Sequence, residues 1–169
     1  YIEHSVAGWT IAVSDQVLSN LHNARSEAAP NETGGIVVGA WDRRIRKGYI
    51  VALLDPPPDS IRSQTGFVRG AVGVFHELEA IGHATAQNLN YVGEWHTHPP
   101  KMQSTPSEDD RLLMKWVDEE VTTSDVPAIM LIGGEDGVRL CVGTTSDSRV
   151  IRHDEETASK RSAADEGSS

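Results

Sequence analysis

The segment from residue 91 to residue 121 constrains the fold most, because prolines divide it into three parts. Residues 91–96 include the β-prone residues Tyr91, Val92 and Trp95 and are predicted to form a strand. Residues 99–106 contain three prolines, which exclude regular structure because proline has a fixed φ and no amide hydrogen. Ser107 predicts a helix N-cap, and apolar residues then recur at spacings of three and four, namely Leu112, Leu113, Trp116 and Val117. A strand end and a helix N-terminus therefore lie one short loop apart.

The rest of the chain interleaves short β-prone segments with two further helical segments. One helix follows a predicted N-cap at Ser14, and a second covers residues 71–89. The other predicted strands cover residues 9–13, 35–41, 48–54, 127–132 and 138–142. Two pairs of these strands form hairpins, and strands and helices do not alternate regularly. This pattern predicts a layered α/β (α+β) fold, in which helices flank a mixed β-sheet.

The chain has 169 residues, a length typical of one globular domain. The apolar pattern stops after Ser146, so we expect a domain over residues 1–146 and a flexible tail over residues 147–169. The first residue, Tyr1, is compatible with excision from a longer polypeptide.

Composition and charge exclude several classes of function. The formal net charge of −10 repels phosphate backbones and disfavours binding to nucleic acid. No apolar run approaches the roughly 20 residues of a membrane span, and no targeting segment opens the sequence, so we expect a cytoplasmic protein. Cys141 is the only cysteine, which excludes an internal disulfide and predicts a small buried residue.

Two histidines at the end of the strand over residues 91–96 predict a metal site. Side chains alternate along a strand, so His96 and His98 point the same way. A catalytic zinc site uses three protein ligands, so a third ligand must come from elsewhere. Asp110 is the candidate, because the proline-rich loop returns the chain and the helix then presents a carboxylate. The alternative role for Asp110 is that of a capping-box partner for Ser107.

Three ordered segments of this sequence resemble the JAMM or MPN+ (Mov34/JAB) zinc metalloproteases, most closely their bacterial Prok-JAB branch. Residues 31–39, Asn-Glu-Thr-Gly-Gly-Ile-Val-Val-Gly, are similar to the glutamate segment of the family. Residues 93–99, Gly-Glu-Trp-His-Thr-His-Pro, and residues 105–110, Thr-Pro-Ser-Glu-Asp-Asp, are similar to its metal segment. The resemblance runs over residues 11–142 and implies a JAB/MPN-like (cytidine-deaminase-like) fold.

The resemblance also implies a role for each matching residue. His96, His98 and Asp110 would bind Zn²⁺, Glu32 would activate the water, and Ser107 would help to stabilise the oxyanion. Eight residues separate His98 from Ser107, one more than in the family pattern, so Asp109 becomes a rival ligand. We retain Asp110, because a flexible loop absorbs an insertion more easily than a helical turn does.

The general base has two candidates. Glu94 precedes His96 by two residues and shares its strand face, whereas Glu32 is distant in sequence. A residue about 6 to 7 Å back along the strand is better placed to support the ligands than to reach the water. Glu32 therefore remains the predicted base, and the adjacent Gly34 and Gly35 are expected to permit close backbone packing.

The function implied by the resemblance is hydrolysis of an isopeptide or peptide bond at the C-terminus of a ubiquitin-like modifier. Such a deubiquitinase-like enzyme would act on the modifier or its conjugate, in a bacterial conjugation or antiphage system. An E1/E2-like enzyme encoded nearby or fused to it is an expected partner. The alternatives are a peptidase acting on a sulfur-carrier protein and a noncatalytic MPN scaffold, although scaffolds generally lose the ligands that this chain retains. Trp95 and Trp116 are expected to be core aromatic residues.

Overall fold

A computed structural model describes residues 1–121 and 125–152. The helices in this part of the chain are α1 (Asp15–Ala28), α2 (Val74–Ala84) and α3 (Glu108–Val121). The strands are β1 (Ile2–Val6), β2 (Trp9–Val13), β3 (Gly34–Asp42), β4 (Lys47–Leu54), β5 (Ile61–Ser63), β6 (Gly66–Val68), β7 (Asn90–Thr97), β8 (Ile129–Gly134), β9 (Gly137–Val142) and β10 (Ser148–Ile151).

Eight of these strands form one mixed sheet in the order β1-β2-β4-β3-β7-β8-β9-β10, and β5 and β6 pair separately. The pairs β2–β4 and β7–β8 are parallel, whereas the other neighbours are antiparallel. The parallel pair β7–β8 requires a crossover connection, which α3 provides. The predicted fold class, a mixed sheet with flanking helices, is confirmed.

The sheet buries an apolar core on each of its faces. Alternate residues of β8 belong to different cores, because successive side chains of a strand point to opposite faces. Ile129 and Leu131 pack in one core with Leu18 of α1, while Met130 packs in the other with Val117 of α3. Helices α1 and α3 therefore cover opposite faces, which gives three layers. Cys141 is buried in the α3 core, as predicted, and burial raises the pKa of its thiol to about 11.

The sheet extends beyond residue 146, into the segment predicted as a tail. Strand β10 pairs with β9 in antiparallel register, and Ile151 is buried. Only one of the four residues of β10 is buried, so the segment shows little apolar pattern in the sequence. The strand is held mainly by its backbone pairing with β9. Residues 153–169 of the predicted tail lie outside the described residues.

Two helices differ from their predicted form. Helix α2 begins only after Gly73, whose φ of +83° ends the preceding turn, and Phe75 is 72% exposed rather than packed on the sheet. Among the described side chains of α3, Met114 and Val117 are buried, so Trp116 lies on another side of the helix and is 56% exposed. The prediction that Trp116 is a core aromatic residue is wrong, whereas Trp95 is buried as predicted.

Within the described residues, none of the helices has the length and apolar character that a membrane span requires.

Candidate metal centre

Strand β7 carries the two histidines into the middle of the sheet. His96 pairs with Gly34 of β3 on one side and with Ile132 of β8 on the other. His98 directly follows β7, and its amide donates to the carbonyl oxygen of Gly133. Both imidazoles are buried, and their Nε2 atoms lie 3.3 Å apart. The strand thus presents two ring nitrogens to one point.

Asp110, in the first turn of α3, brings a carboxylate to the same point. Its Oδ1 lies 3.0 Å from Nε2 of His96, and its Oδ2 lies 3.4 Å from Nε2 of His98. Tetrahedral coordination with bonds of 2.0–2.1 Å separates neighbouring ligand atoms by about 3.3 Å. The separations of 3.3, 3.0 and 3.4 Å are close to this value, with each oxygen of Asp110 facing one imidazole, and the ligand atoms of the three residues all lie within 4.8 Å of one another. Two imidazoles with one carboxylate are a donor set that zinc accepts. The residues present therefore fit a zinc ion.

The same carboxylate also caps α3. The amide of Ser107 donates to Oδ2 of Asp110 at 2.7 Å, and the amide of Asp110 donates to Oγ of Ser107 at 3.1 Å. These reciprocal bonds form a capping box with aspartate at its third position. A carboxylate has two oxygens and several lone pairs, so both roles considered for Asp110 coexist in the structure. Asp109, the rival ligand, is exposed and outside the His96, His98 and Asp110 group.

A backbone carbonyl orients the ring of His98. Its Nδ1 lies 2.7 Å from the carbonyl oxygen of Gln103, which can only accept a hydrogen bond. Nδ1 therefore carries a proton, and the ring orientation turns Nε2 toward Asp110 and His96. This contact was not predicted, because Gln103 contributes only its backbone and lies in an irregular loop.

Electrostatics keep the carboxylate ionised. Burial alone would raise the pKa of Asp110, but its bonds to His96, His98 and the Ser107 amide together hold that pKa far below its ordinary value. Burial likewise lowers the pKa of His98, yet Asp110 and the Gln103 carbonyl raise it more. The carboxylate of Asp110 and the imidazole of His98 each stabilise the charged form of the other. Asp110 is therefore available as an anionic ligand at neutral pH.

Glu32 reaches the site from the loop before β3. Its amide donates to the carbonyl oxygen of Ser63 at 2.8 Å, and the next residue, Thr33, is paired with Thr97 at the end of β7. Burial raises the pKa of Glu32, interaction with His96 and His98 lowers it, and Asp110 raises it, with a net increase. Glu32 therefore holds a carboxyl group within the electrostatic reach of all three clustered residues.

The glycines after Glu32 are required by close packing. A Cβ atom on Gly34 would overlap the carbonyl oxygen of Trp95, and one on Gly35 would overlap that of Leu54. Backbone atoms cannot rotate away as side chains do, so only glycine fits here. The predicted close packing beside Glu32 is confirmed.

Glu94, the alternative base, is engaged in a buried polar cluster. Its two carboxylate oxygens lie 3.1 and 2.8 Å from Nε of Arg69, and the hydroxyl of Tyr91 donates to Oε1 at 2.8 Å. Glu94 is only 5% exposed. Neither Arg69 nor Tyr91 was identified from sequence as part of the site's surroundings, because only tertiary packing brings them to Glu94.

A groove of about 960 Å³ passes over the cluster. Its polar floor includes Glu32, both histidines, Ser107 and Asp110. Its walls come from the β5–β6 hairpin, from the loop of residues 99–106 and from α3. These walls carry exposed apolar side chains: Ile61, Val68, Met102, Leu113 and Trp116. The cluster therefore lies in a groove whose walls expose apolar side chains.

The sequence is similar to several known proteins. A CD-NTase/cGAS isopeptidase of Enterobacter hormaechei subsp. hoffmannii is 30% identical over 128 residues, which are 75% of this chain and 69% of that protein. A CD-NTase/cGAS isopeptidase of Escherichia coli is 30% identical over 125 residues, 73% of this chain and 76% of that protein. A probable metalloprotease, y4qB of Sinorhizobium fredii, is 27% identical over 106 residues, 61% of this chain and 63% of that protein. Residues 14–149 match the model of the Prok-JAB family, described as prokaryotic homologs of the JAB domain, and the chain belongs to this family.

Proposed function

We propose that this chain is a zinc-dependent hydrolase that cleaves the isopeptide or peptide bond at the C-terminus of a ubiquitin-like modifier. The observation that carries the proposal is the cluster of two imidazole nitrogens, 3.3 Å apart, and one carboxylate, whose two oxygens lie 3.0 and 3.4 Å from them, beneath a groove that also contains Glu32. Membership of the JAB family and the metalloprotease and isopeptidase names of the relatives support this class of reaction.

His96, His98 and Asp110 are the residues that would hold the zinc ion. Bound zinc lowers the pKa of water to about 7 and polarises a substrate carbonyl. The carbonyl of Gln103 and the amide of Ser107 fix two of these side chains before any metal arrives. Such preorganisation raises affinity, because less conformational entropy is lost on binding.

Glu32 would accept the proton of the attacking water and then deliver it to the leaving amine. A carboxyl group performs both steps best when its pKa lies nearer to neutrality than that of a free glutamate, and burial raises the pKa of Glu32 in that direction. Glu94 suits this role less well, because Arg69 and Tyr91 already occupy its oxygens.

Ser107 would stabilise the negative charge on the substrate oxygen. Its Oγ accepts a hydrogen bond from the amide of Asp110, so its own hydroxyl hydrogen remains available to donate into the groove. A donor held by the first turn of a helix needs little reorganisation when charge develops on the substrate.

An extended protein tail is the substrate that the groove favours. Its apolar walls can cover the side chains of a tail, while its floor lies open to the scissile bond. The net charge of −10 disfavours a nucleic-acid partner and accommodates a neutral or basic protein. Cytoplasmic action on a modifier conjugate, beside an E1/E2-like enzyme of the same system, is part of this proposal.

Two rival functions share the fold. A peptidase for a sulfur-carrier protein would use the same residues on a shorter leaving group, but the isopeptidase names of two relatives favour a branched conjugate. A noncatalytic scaffold needs no metal donors, whereas His96, His98 and Asp110 here retain a complete set.

Two substrates separate these functions. One is a ubiquitin-like modifier joined through its C-terminus to a lysine side chain, and the other is a sulfur carrier extended by one residue. We expect cleavage of the first, its loss after treatment with 1,10-phenanthroline, and its recovery when zinc is added. Glu32→Gln serves as the inactive control. Faster cleavage of the carrier would favour the first rival, and no cleavage of either by zinc-loaded protein would favour the scaffold.

A further inference from the structure

We propose that Arg25 is a positioning residue for the metal centre, although it lies on α1, outside the groove. The inference rests on the proposed zinc site. Arg25 would act by holding the loop of residues 99–106, which joins His98 to the helix that carries Ser107 and Asp110.

Arg25 joins three parts of the chain. Its Nε donates to the carbonyl oxygen of His98 at 3.0 Å, and its Nη2 donates to that of Pro99 at 3.0 Å. The same Nη2 lies 2.9 Å from Oε2 of Glu135, in the turn between β8 and β9. The side chain of Arg25 is only 16% exposed, so its bonds to the two carbonyl groups are partly shielded from water, whereas the side chain of Glu135 is 54% exposed. One guanidinium therefore fixes the backbone where the strand ends and the loop begins.

The loop of residues 99–106 is held in place largely by hydrogen bonds to side chains from other parts of the chain. Its three prolines have no amide hydrogen to donate, so backbone hydrogen bonding within the loop is limited. Oε2 of Glu135 accepts from the amide of Lys101 at 3.2 Å, and the amide of Glu135 donates to the carbonyl of Met102 at 2.7 Å. Arg25 therefore holds the first half of the loop both directly and through Glu135.

Asp136 holds the second half of the loop. Its two carboxylate oxygens accept from the amide and the hydroxyl of Ser104, at 2.7 and 3.0 Å. Gln103, whose carbonyl orients the ring of His98, lies between the parts held by Arg25 and by Asp136. Release of the first part would let this carbonyl move, and His98 would lose its fixed orientation. The metal affinity should therefore fall although Arg25 touches no ligand side chain.

The geometry of the guanidinium predicts a larger loss of zinc affinity for Arg25→Met than for Arg25→Lys. Two successive carbonyl groups are bound by the fork of Nε and Nη2, which a lysine ammonium cannot reproduce. Arg25→Met should weaken zinc binding by about 10- to 100-fold, the usual cost of losing a residue that orients a metal ligand. Arg25→Lys should retain the charge and show an intermediate loss. Because Arg25 does not line the groove, KM at saturating zinc should stay unchanged.

The test is the zinc dissociation constant of purified wild-type and variant proteins, measured by competition with a chromophoric chelator well below their unfolding temperatures. The control is Arg46→Met, because Nε of Arg46 also donates to a backbone carbonyl, that of Gly8, and Arg46 follows the end of β3 opposite to Gly34, which pairs with His96. We expect affinity in the order wild type, Arg25→Lys, Arg25→Met, with Arg46→Met equal to wild type.

Equal zinc affinity of Arg25→Met and wild type would overturn the inference and leave the proposed function intact. A similar loss in Arg46→Met would do the same, because it would show a general effect on stability. A wild-type protein that binds no zinc would instead defeat the proposed function. Should Arg25→Met fail to fold, Arg25→Lys decides alone, and an unchanged affinity in that variant counts against the inference.

Discussion

Replacing Asp110 with asparagine separates its two roles. The amide oxygen of asparagine can still accept the hydrogen bond that the Ser107 amide now donates to Oδ2, so the capping box is largely retained. The variant loses the anionic oxygen beside the two histidines, and a neutral amide is not among the usual zinc ligands. Asp110→Asn should therefore fold and fail to bind zinc.

The size of the effect follows from linkage. A ligand present at 1,000 times its dissociation constant stabilises the folded state by about 4.1 kcal/mol. For a chain of 150–250 residues, each kcal/mol raises Tm by about 2–4 °C, so zinc should raise the Tm of wild type by about 8–16 °C. Asp110→Asn should show almost none of this increase. Loss of the capping bond, if it occurred, would lower the Tm of the metal-free variant by only about 2–4 °C.

Thermal unfolding with and without zinc, followed by circular dichroism, measures both quantities. Metal content by mass spectrometry gives the stoichiometry, for which we expect one zinc per wild-type chain. Asp109→Asn is the matched control, because Asp109 lies in the same helical turn and is exposed. A zinc-induced increase in Asp110→Asn, together with its loss in Asp109→Asn, would show that the inserted loop residue has shifted the ligand and would refute the assignment.

Four further substitutions test other parts of the site. Glu32→Gln should keep the zinc-induced rise in Tm but lower kcat by a factor on the order of 10² or more, whereas Glu94→Gln should have a smaller effect in the same cleavage assay. Trp116→Ser should raise KM for a modifier substrate without lowering Tm, because this wall residue is exposed, and an unchanged KM would remove it from the binding groove. Burial raises the pKa of Asp136, but bonds from Ser104 lower it more, so its stabilisation is present at neutral pH and is lost as pH falls below 3.8. The stability difference between wild type and Asp136→Asn, from denaturant titrations, should therefore shrink at low pH, and a constant difference would contradict this account.

The central parts of the fold were predictable because they follow from local rules. Alternation along β7 places His96 and His98 on one face, and the spacing from Ser107 to Asp110 is that of a capping box. The edge strands β1 and β10 and the β5–β6 hairpin were not predicted. They are short, and their formation depends on backbone pairing with neighbours that sequence patterns do not reveal.

The surroundings of the site were also beyond prediction, for two physical reasons. Gln103 acts through its backbone carbonyl, which has the same chemistry in every residue type. Arg25 and Arg69 contact partners 25 or more residues away in sequence, so no local periodicity connects them to the site. The error on Trp116 has a different cause. A helix with several apolar residues has more than one apolar face, and in α3 the face with Met114 and Val117 packs on the sheet.

The extra residue between His98 and Ser107 does not displace Asp110, because the position of Asp110 is set by the helix and not by the loop. The reciprocal bonds with Ser107 place its carboxylate relative to α3, and Val117 fixes α3 against the sheet that carries His96. The loop has only to span the distance between the two elements, which an additional residue makes no harder. Ordering the loop costs conformational entropy, and hydrogen bonds from Arg25 at one end and to Asp136 at the other offset this cost. The arrangement of His96, His98 and Asp110 therefore depends on the capping box of α3 together with the loop contacts of Arg25 and Asp136. Loop length alone would not define it.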